Sequence, residues 1–217
     1  MKLNSVLILC FMLLGNWQLG TAAKSNKPTQ INFTQTMPKE GNLILGVFQD
    51  GQLGLQGQAM DKASEGALSH AIQAAKFEAN IKTTHLITAP MDSGFDQILL
   101  VGLGQQDDSK TDLQWQEIGG HTVQKAVKAF KTVPAFKADV SALDNSHKIV
   151  AHMAYGAKLG SYYFDKYYTD EKRHKHQDSL TFITDDANHV SEYYNQELDA
   201  VANGIWFTRD IANEPAN

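Results

Sequence analysis

Apolar residues in this chain come in short runs parted by glycine- and proline-bearing breaks, and the period of each run predicts its element. Ile31–Thr36 and Leu43–Phe48 read as strands, and Asp50-Gly51 marks the turn after the second. A glycine- and glutamine-rich loop over Gly51–Gln58 leads into Met60–Phe77, where Ala67, Ala71 and Ala75 recur at helical spacing. Thr84–Thr88 and Gln97–Val101 are two further strands, joined through Pro90, Asp92 and Gly94. Asp112 is placed to cap a helix running to Phe130, whose Val123, Ala126, Val127 and Phe130 make one apolar stripe aimed at the sheet. Val133–Val140 is a strand that Pro134 confines to a start after the proline or to an edge. A helix beginning near Asp144 carries Ile149, Met153 and Ala157 on one side and ends at Gly160; Leu180–Ile183 is a short strand. In the last segment Leu198, Val201, Ala202, Ile205 and Ala212 recur at helical spacing. Pro215 biases Glu214 away from helix, so this element should end near Asn213. Strands alternating with helices define an α/β sandwich with a mixed, mostly parallel sheet.

The first residues follow a different logic. Lys2, the unbroken apolar run Val6–Leu14 and the small residues Thr21-Ala22-Ala23 have the order of a signal peptide spanning 1–23, cut after Ala22 or Ala23. The run is too short to cross a bilayer, so the expected destination is the periplasm or the exterior, with no membrane anchor. Cys10 is the one cysteine of the chain and lies inside this segment, so thiol chemistry is excluded from the expected mature protein. The formal charge of −5, or −6 once Lys2 is removed, disfavours a nucleic-acid surface. A hydrophobic content of 42% suffices for a packed core.

Candidate chemistry is sparse. Asp107-Asp108 and Asp185-Asp186 are adjacent carboxylates whose side chains diverge, which fits loops and caps rather than a metal centre. His174 and His176 lie among Glu171, Lys172, Arg173 and Lys175, whose cations oppose a bound metal. Gly102-Leu103-Gly104 follows a strand and precedes a helix, as a phosphate cradle does. It continues into Gln105-Gln106-Asp107 without a third glycine, so a tight turn is the stronger reading. No Gly-x-Ser-x-Gly elbow occurs. Trp115, Trp206, Phe207 and Tyr162-Tyr163-Phe164 are expected to pack in the core or at an interface. No catalytic, cofactor-binding or metal-binding residue is assigned to this chain.

Three segments in the right order carry a resemblance. Thr208-Arg209-Asp210-Ile211-Ala212-Asn213-Glu214-Pro215-Ala216-Asn217 resembles the Arg-Asp-Leu-Val-Asn-Glu-Pro-Ala-Asn signature that opens the catalytic domain of leucyl aminopeptidases, peptidase family M17. Ile98-Leu99-Leu100-Val101-Gly102-Leu103-Gly104 resembles the strand and turn ending the first hairpin of that family's N-terminal domain. Gly156–Tyr167 resembles its helix end and Ser-Tyr-x-Phe-Asp-x-Tyr run. The resemblance implies a macro-domain-like three-layer sandwich over 24–187, then a linking helix of about Val190–Ala212 within a segment 188–217 that reaches the first residues of a catalytic domain. It further implies a metallo-aminopeptidase removing N-terminal residues from peptides, two divalent metals (zinc or manganese) in that catalytic domain, and a homo-hexamer. The metal ligands would all follow Asn217. A competing reading, by fold analogy, is a free-standing macro-like module binding ADP-ribose or another nucleotide.

Overall fold

A computed structural model describes residues 27–88, 94–106, 109–130, 135–143, 146–168 and 177–215; the signal segment 1–23, Asp107-Asp108, Asp144, His174 and His176 lie outside them. Six strands, β1 (Gln30–Thr34), β2 (Gly41–Val47), β3 (Thr84–Thr88), β4 (Phe95–Gly102), β5 (Ala135–Asp139) and β6 (Ser179–Ile183), form one sheet in the order β1-β6-β5-β2-β4-β3. All neighbours are parallel except β3, which runs antiparallel on the edge beside β4. Alternation along β2 and β4 explains the layers. Leu43, Leu45, Val47, Ile98 and Leu100 point to one core, while Ile44, Leu99 and Val101 point to the other. The first core is closed by α1 (Leu55–Ala63) and α2 (Ala67–Ala74), with Leu68 and Ile72 buried. The second is closed by α3 (Asp112–Phe130), α4 (His147–Gly160), α5 (Ala187–Tyr193) and α6 (Asp199–Asn213). The expected three-layer α/β sandwich is what the chain builds.

Several boundaries differ from expectation for local reasons. The helix expected over Met60–Phe77 is two helices, and the first begins at Leu55, inside the expected loop. It is interrupted because Glu65 and Gly66 adopt left-handed backbone (φ 52° and 86°), and Gly66 N–H closes onto Asp61 carbonyl at 2.8 Å. The Asp61 carboxylate then caps the second helix through Ser69 N–H, 2.8 Å. The cap of α3 is Thr111 rather than Asp112. Thr111 N–H donates to Gln114 Oε1 (2.7 Å) while Gln114 N–H donates to Thr111 Oγ1 (3.3 Å), a reciprocal capping box. The helix expected from Asp144 starts at His147, capped by Ser146. β5 starts after Pro134 but lies between β6 and β2, not at an edge, so the proline limits the strand's start without excluding it from the centre.

The α3–α4 crossing has no room for side chains. A Cβ built on Gly119 falls 1.9 Å from Met153 carbonyl oxygen, one on Gly156 falls 1.9 Å from Gln116 carbonyl oxygen, and one on Gly160 falls 2.6 Å from Gly120 Cα. Two helices therefore meet backbone to backbone. Gly204, on α6, has nothing within 4 Å of its virtual Cβ. The two sites should answer the same substitution with opposite signs. Gly156→Ala must push the helices apart and is expected to cost about 3 kcal/mol or more. Gly204→Ala removes only backbone entropy and should stabilise by up to about 1 kcal/mol. Urea-unfolding midpoints of the two variants check both.

Candidate functional site, a clasp between two signature segments

Two of the segments that carried the resemblance meet in space. α4 is buried from Val150 to Lys158, and Leu159 and Gly160 after it are half-buried, so the carbonyls of its last turn are largely shielded from bulk water. α6 supplies their donors. Trp206 Nε1 donates to Lys158 carbonyl (3.1 Å), and Arg209 Nη1 donates to Leu159 carbonyl (2.7 Å). Ser161 Oγ also donates to Lys158 carbonyl, 2.8 Å. Lys158 itself is 3% exposed, and its Nζ pairs with Asp199 Oδ1 at 2.7 Å.

The loop after α4 continues the clasp. Tyr162 O–H donates to Asp210 Oδ1 (3.0 Å) and accepts from Asn213 Nδ2 (3.1 Å). Its ring meets Trp206 edge-on with centroids 4.9 Å apart, and the Arg209 guanidinium lies 5.4 Å from the same ring centre. Burial raises the Tyr162 phenol above its ordinary value, so it serves as a neutral donor. At the end of α6, Glu214 takes both Lys166 Nζ and Tyr167 O–H on its two carboxylate oxygens. α6 stops at Asn213 as expected, because Glu214 turns to an extended conformation (φ −65°, ψ 135°) before Pro215. Arg209, Asp210, Asn213 and Glu214 of the terminal signature are thus each bound to the 159–167 segment or to one another, in positioning roles.

The remaining candidates are accounted for by packing and turns. Gly102 is the last residue of β4, and Leu103-Gly104 runs on from it without the local hydrogen bond of the expected tight turn. The three N–H groups donate instead to the carbonyls of Thr83, Val47 and Ala79, each at 2.9 Å, and none is left for a phosphate. A Cβ on Gly102 would stand 2.1 Å from Asn80 carbonyl oxygen, and Gly104 has φ +78°, so the glycines answer to close approach and backbone angle. Asp185 and Asp186 form the turn ahead of α5, where Asp186 Oδ1 lies 2.6 Å from His189 Nδ1. Among the described residues there is no group of three or more His, Cys, Asp or Glu able to hold a metal ion, and no helix long and apolar enough to cross a membrane. Trp115 and Trp206 are core residues, whereas Phe207 is 67% exposed.

Sequence reasoning gave no role to three residues that matter. Lys158 stood unremarked inside a matching segment, and Asp199 was unread. Asp139, 2% exposed at the carboxyl end of β5, receives Ser141 N–H on Oδ1 at 2.9 Å, and burial raises its carboxyl above the ordinary range. The only signal for it was an acid closing an otherwise strand-like run.

This arrangement places the chain among macro-like α/β domains extended by a clasped terminal helix. The profile described as the Cytosol aminopeptidase family, N-terminal domain, matches residues 44–171, more than half of the chain. A probable cytosol aminopeptidase of Chelativorans sp. (strain BNC1) is 33% identical over 196 residues, covering 89% of this chain and 38% of the relative. The chain belongs to the cytosol aminopeptidase family, also described as the leucyl aminopeptidases or M17, and corresponds to its N-terminal domain. It spans well under half the length of the curated relatives it matches. Among solved structures, a tomato leucine aminopeptidase mutant superposes with TM-score 0.65 at 19% identity, covering 90% of this chain and 40% of that one. An Oceanobacillus iheyensis macrodomain mutant superposes with TM-score 0.55 at 10% identity, covering 83% and 96%, which is a likeness of fold alone.

The Glu214 anchor should be sensitive to acid. Its carboxyl is held below the ordinary glutamate value of 4.5, first by Lys166 and then by Tyr167. A depressed carboxyl contributes stability above its unfolded value and loses it as pH falls through the folded one. Lys166, raised by Glu214, keeps its share until alkaline pH. We therefore expect the 161–168 segment to stay attached at neutral pH and to loosen below pH 4.5, while the Trp206 contact persists. Amide exchange of Ser161–Tyr168, corrected for intrinsic rates and compared with Glu214→Gln at neutral pH, reads this directly.

Proposed function

We propose that this chain is the non-catalytic N-terminal part of a leucyl-aminopeptidase-like metallopeptidase, with residues 24–187 as the macro-like domain and 188–217 as the linking helix and entry to the catalytic domain. In the whole protein that catalytic domain would hold two divalent metals, zinc or manganese, and remove N-terminal residues from peptides. The whole protein would assemble as a homo-hexamer. The observation that carries this reading is the clasp. The residues resembling the opening of a catalytic domain are fastened to the end of α4, while Val201, Phe207 and Ile211 stand 52%, 67% and 59% exposed along the outer side of α6. An apolar stripe on a firmly held helix is suited to receive a following domain.

A chimera tests it: residues 1–217 joined to the portion of the Chelativorans relative that follows its equivalent of Asn217. The chimera should hydrolyse leucine anilide with added manganese or zinc and lose that activity to a chelator. Residues 1–217 alone should show no turnover, because the proposed two-metal site takes its ligands from the catalytic domain of the whole protein. Chelator-sensitive turnover by the chain alone overturns the reading. Phe207→Ser in the chimera should lower activity by loosening the two domains.

Export is the second part of the proposal. It is supported by the basic start at Lys2, the apolar Val6–Leu14 and the small residues up to Ala23, although the curated relatives carry the word cytosol in their names. N-terminal sequencing of the protein from its native cell is expected to begin at Ala23 or Lys24. A mature protein that still starts at Met1 rules export by this segment out.

A further inference from the structure

The expected linking helix is not one continuous α-helix. Between α5 and α6, residues Tyr194–Leu198 form a π turn in which Asp199 N–H reaches back five residues to Tyr194 carbonyl. The consequence is rotational. In an unbroken α-helix at about 100° per residue, Val201 would stand about 20° from Tyr194 around the axis and Ala202 about 80° away. A π turn absorbs one extra residue, so everything after it is displaced by about one position. Ala202 then takes the place of Val201. Burial shows this: Val190, Tyr194, Ala202 and Trp206 are all 1% exposed or less, while Val201 is 52% exposed.

The same displacement delivers Asp199 to Lys158. In α register Leu198 would occupy that position, and the Lys158 ammonium, buried to 3% exposure, would face an apolar side chain. Asn203 Nδ2 donates to the second oxygen of Asp199 at 2.9 Å, orienting the carboxylate. α6 also has to align Trp206 with Lys158 carbonyl and Arg209 with Leu159 carbonyl, which only the displaced register achieves.

We infer that the π turn and the Lys158–Asp199 pair form a register lock that holds α6 one residue out of α phase, keeping Ala202 in the core and Val201 outside it. The lock decides which face of the linking helix is offered to a neighbour. Only the identity of that neighbour rests on the proposed function.

Thiol labelling in a Cys10→Ser background reads the register. Val201→Cys should react about a hundredfold faster than Ala202→Cys with an aromatic disulfide reagent, since only the second is protected by packing. Deletion of Gln196, an exposed residue of the π turn, removes the extra residue and makes Ala202 the seventh after Tyr194, so a regular α-helix then keeps Ala202 in the core and the order of reactivity should be unchanged. A reversed order in the folded deletion variant overturns the lock. Should that variant unfold, Lys158→Met decides, because it keeps the chain length and leaves Asp199 partly solvated. Ala202→Cys labelling should then rise about tenfold over the unsubstituted lysine background, and an unchanged rate overturns the lock. Labelling reports on this chain alone, so its failure leaves the aminopeptidase reading standing, and an inactive chimera leaves the lock standing.

Discussion

The buried carbonyl end of α4 is the constraint on which the second half of this molecule depends. A helix terminus leaves its last carbonyls unpaired, and water normally satisfies them. Here α3, the sheet and α6 surround α4, so the protein must supply the donors itself. Leaving one such group unpaired costs about 1 to 3 kcal/mol, comparable to a sizeable fraction of a domain's stability. Trp206 and Arg209 on α6, with Ser161 beside the helix end, fill the need. α6 is therefore a structural part of the domain rather than a tether leaving it.

That constraint propagates in both directions along the chain. Towards α3, the helices can bury α4 only by approaching at Gly119, Gly120, Gly156 and Gly160, where carbonyls and α-carbons occupy the space that side chains would need. Towards the C-terminus, the donors must arrive in phase with carbonyls at Lys158 and Leu159. A regular helix continuing from α5 presents the wrong face, and the π turn corrects it by one residue. The buried lysine ties the two requirements together, since its backbone oxygen receives Trp206 and its ammonium receives Asp199. A buried charge is a weak source of net stability but discriminates strongly between registers, because only one of them pairs it.

How much of this was readable from the sequence depends on the range of the interaction that decides it. Strands β2, β4 and β6 were legible because each is a short local run of apolar residues. The stop at Asn213 was legible because proline acts on its immediate neighbour. The break at Glu65-Gly66 was missed because the alanine-rich pattern ran across it, and a single glycine left the helical period nearly intact. Of the two placements Pro134 left open for β5, the strand takes the start after the proline, and its place between β6 and β2 costs nothing because the absent N–H lies before the ladder. The resemblance located the segments at Gly156–Tyr167 and Arg209–Asn217 and left their purpose open. Only the fold shows that Tyr162 and Asp210, 48 residues apart, share a hydrogen bond. Lys158 and Asp199 lie 41 residues apart, and Asp199 went unread because no composition signal announces a π turn.

Macro-like architecture by itself does not make this chain a nucleotide-binding module. Fold and function separate at the level of the site, and the decisive question is whether backbone donors are free where a phosphate would sit. At Gly102-Leu103-Gly104 they are not: each N–H is held by a carbonyl of β2 or of the 79–83 segment. Those glycines let the loop from Ala79 to Thr83 lie against the end of β4, a packing role that a Cβ at Gly102 would end. The polar residues that converge most densely do so instead around α6, where guanidinium, carboxylate, amide and phenol groups saturate one another. A saturated network with its polar groups mutually paired is suited to holding two parts of a chain in a fixed relation.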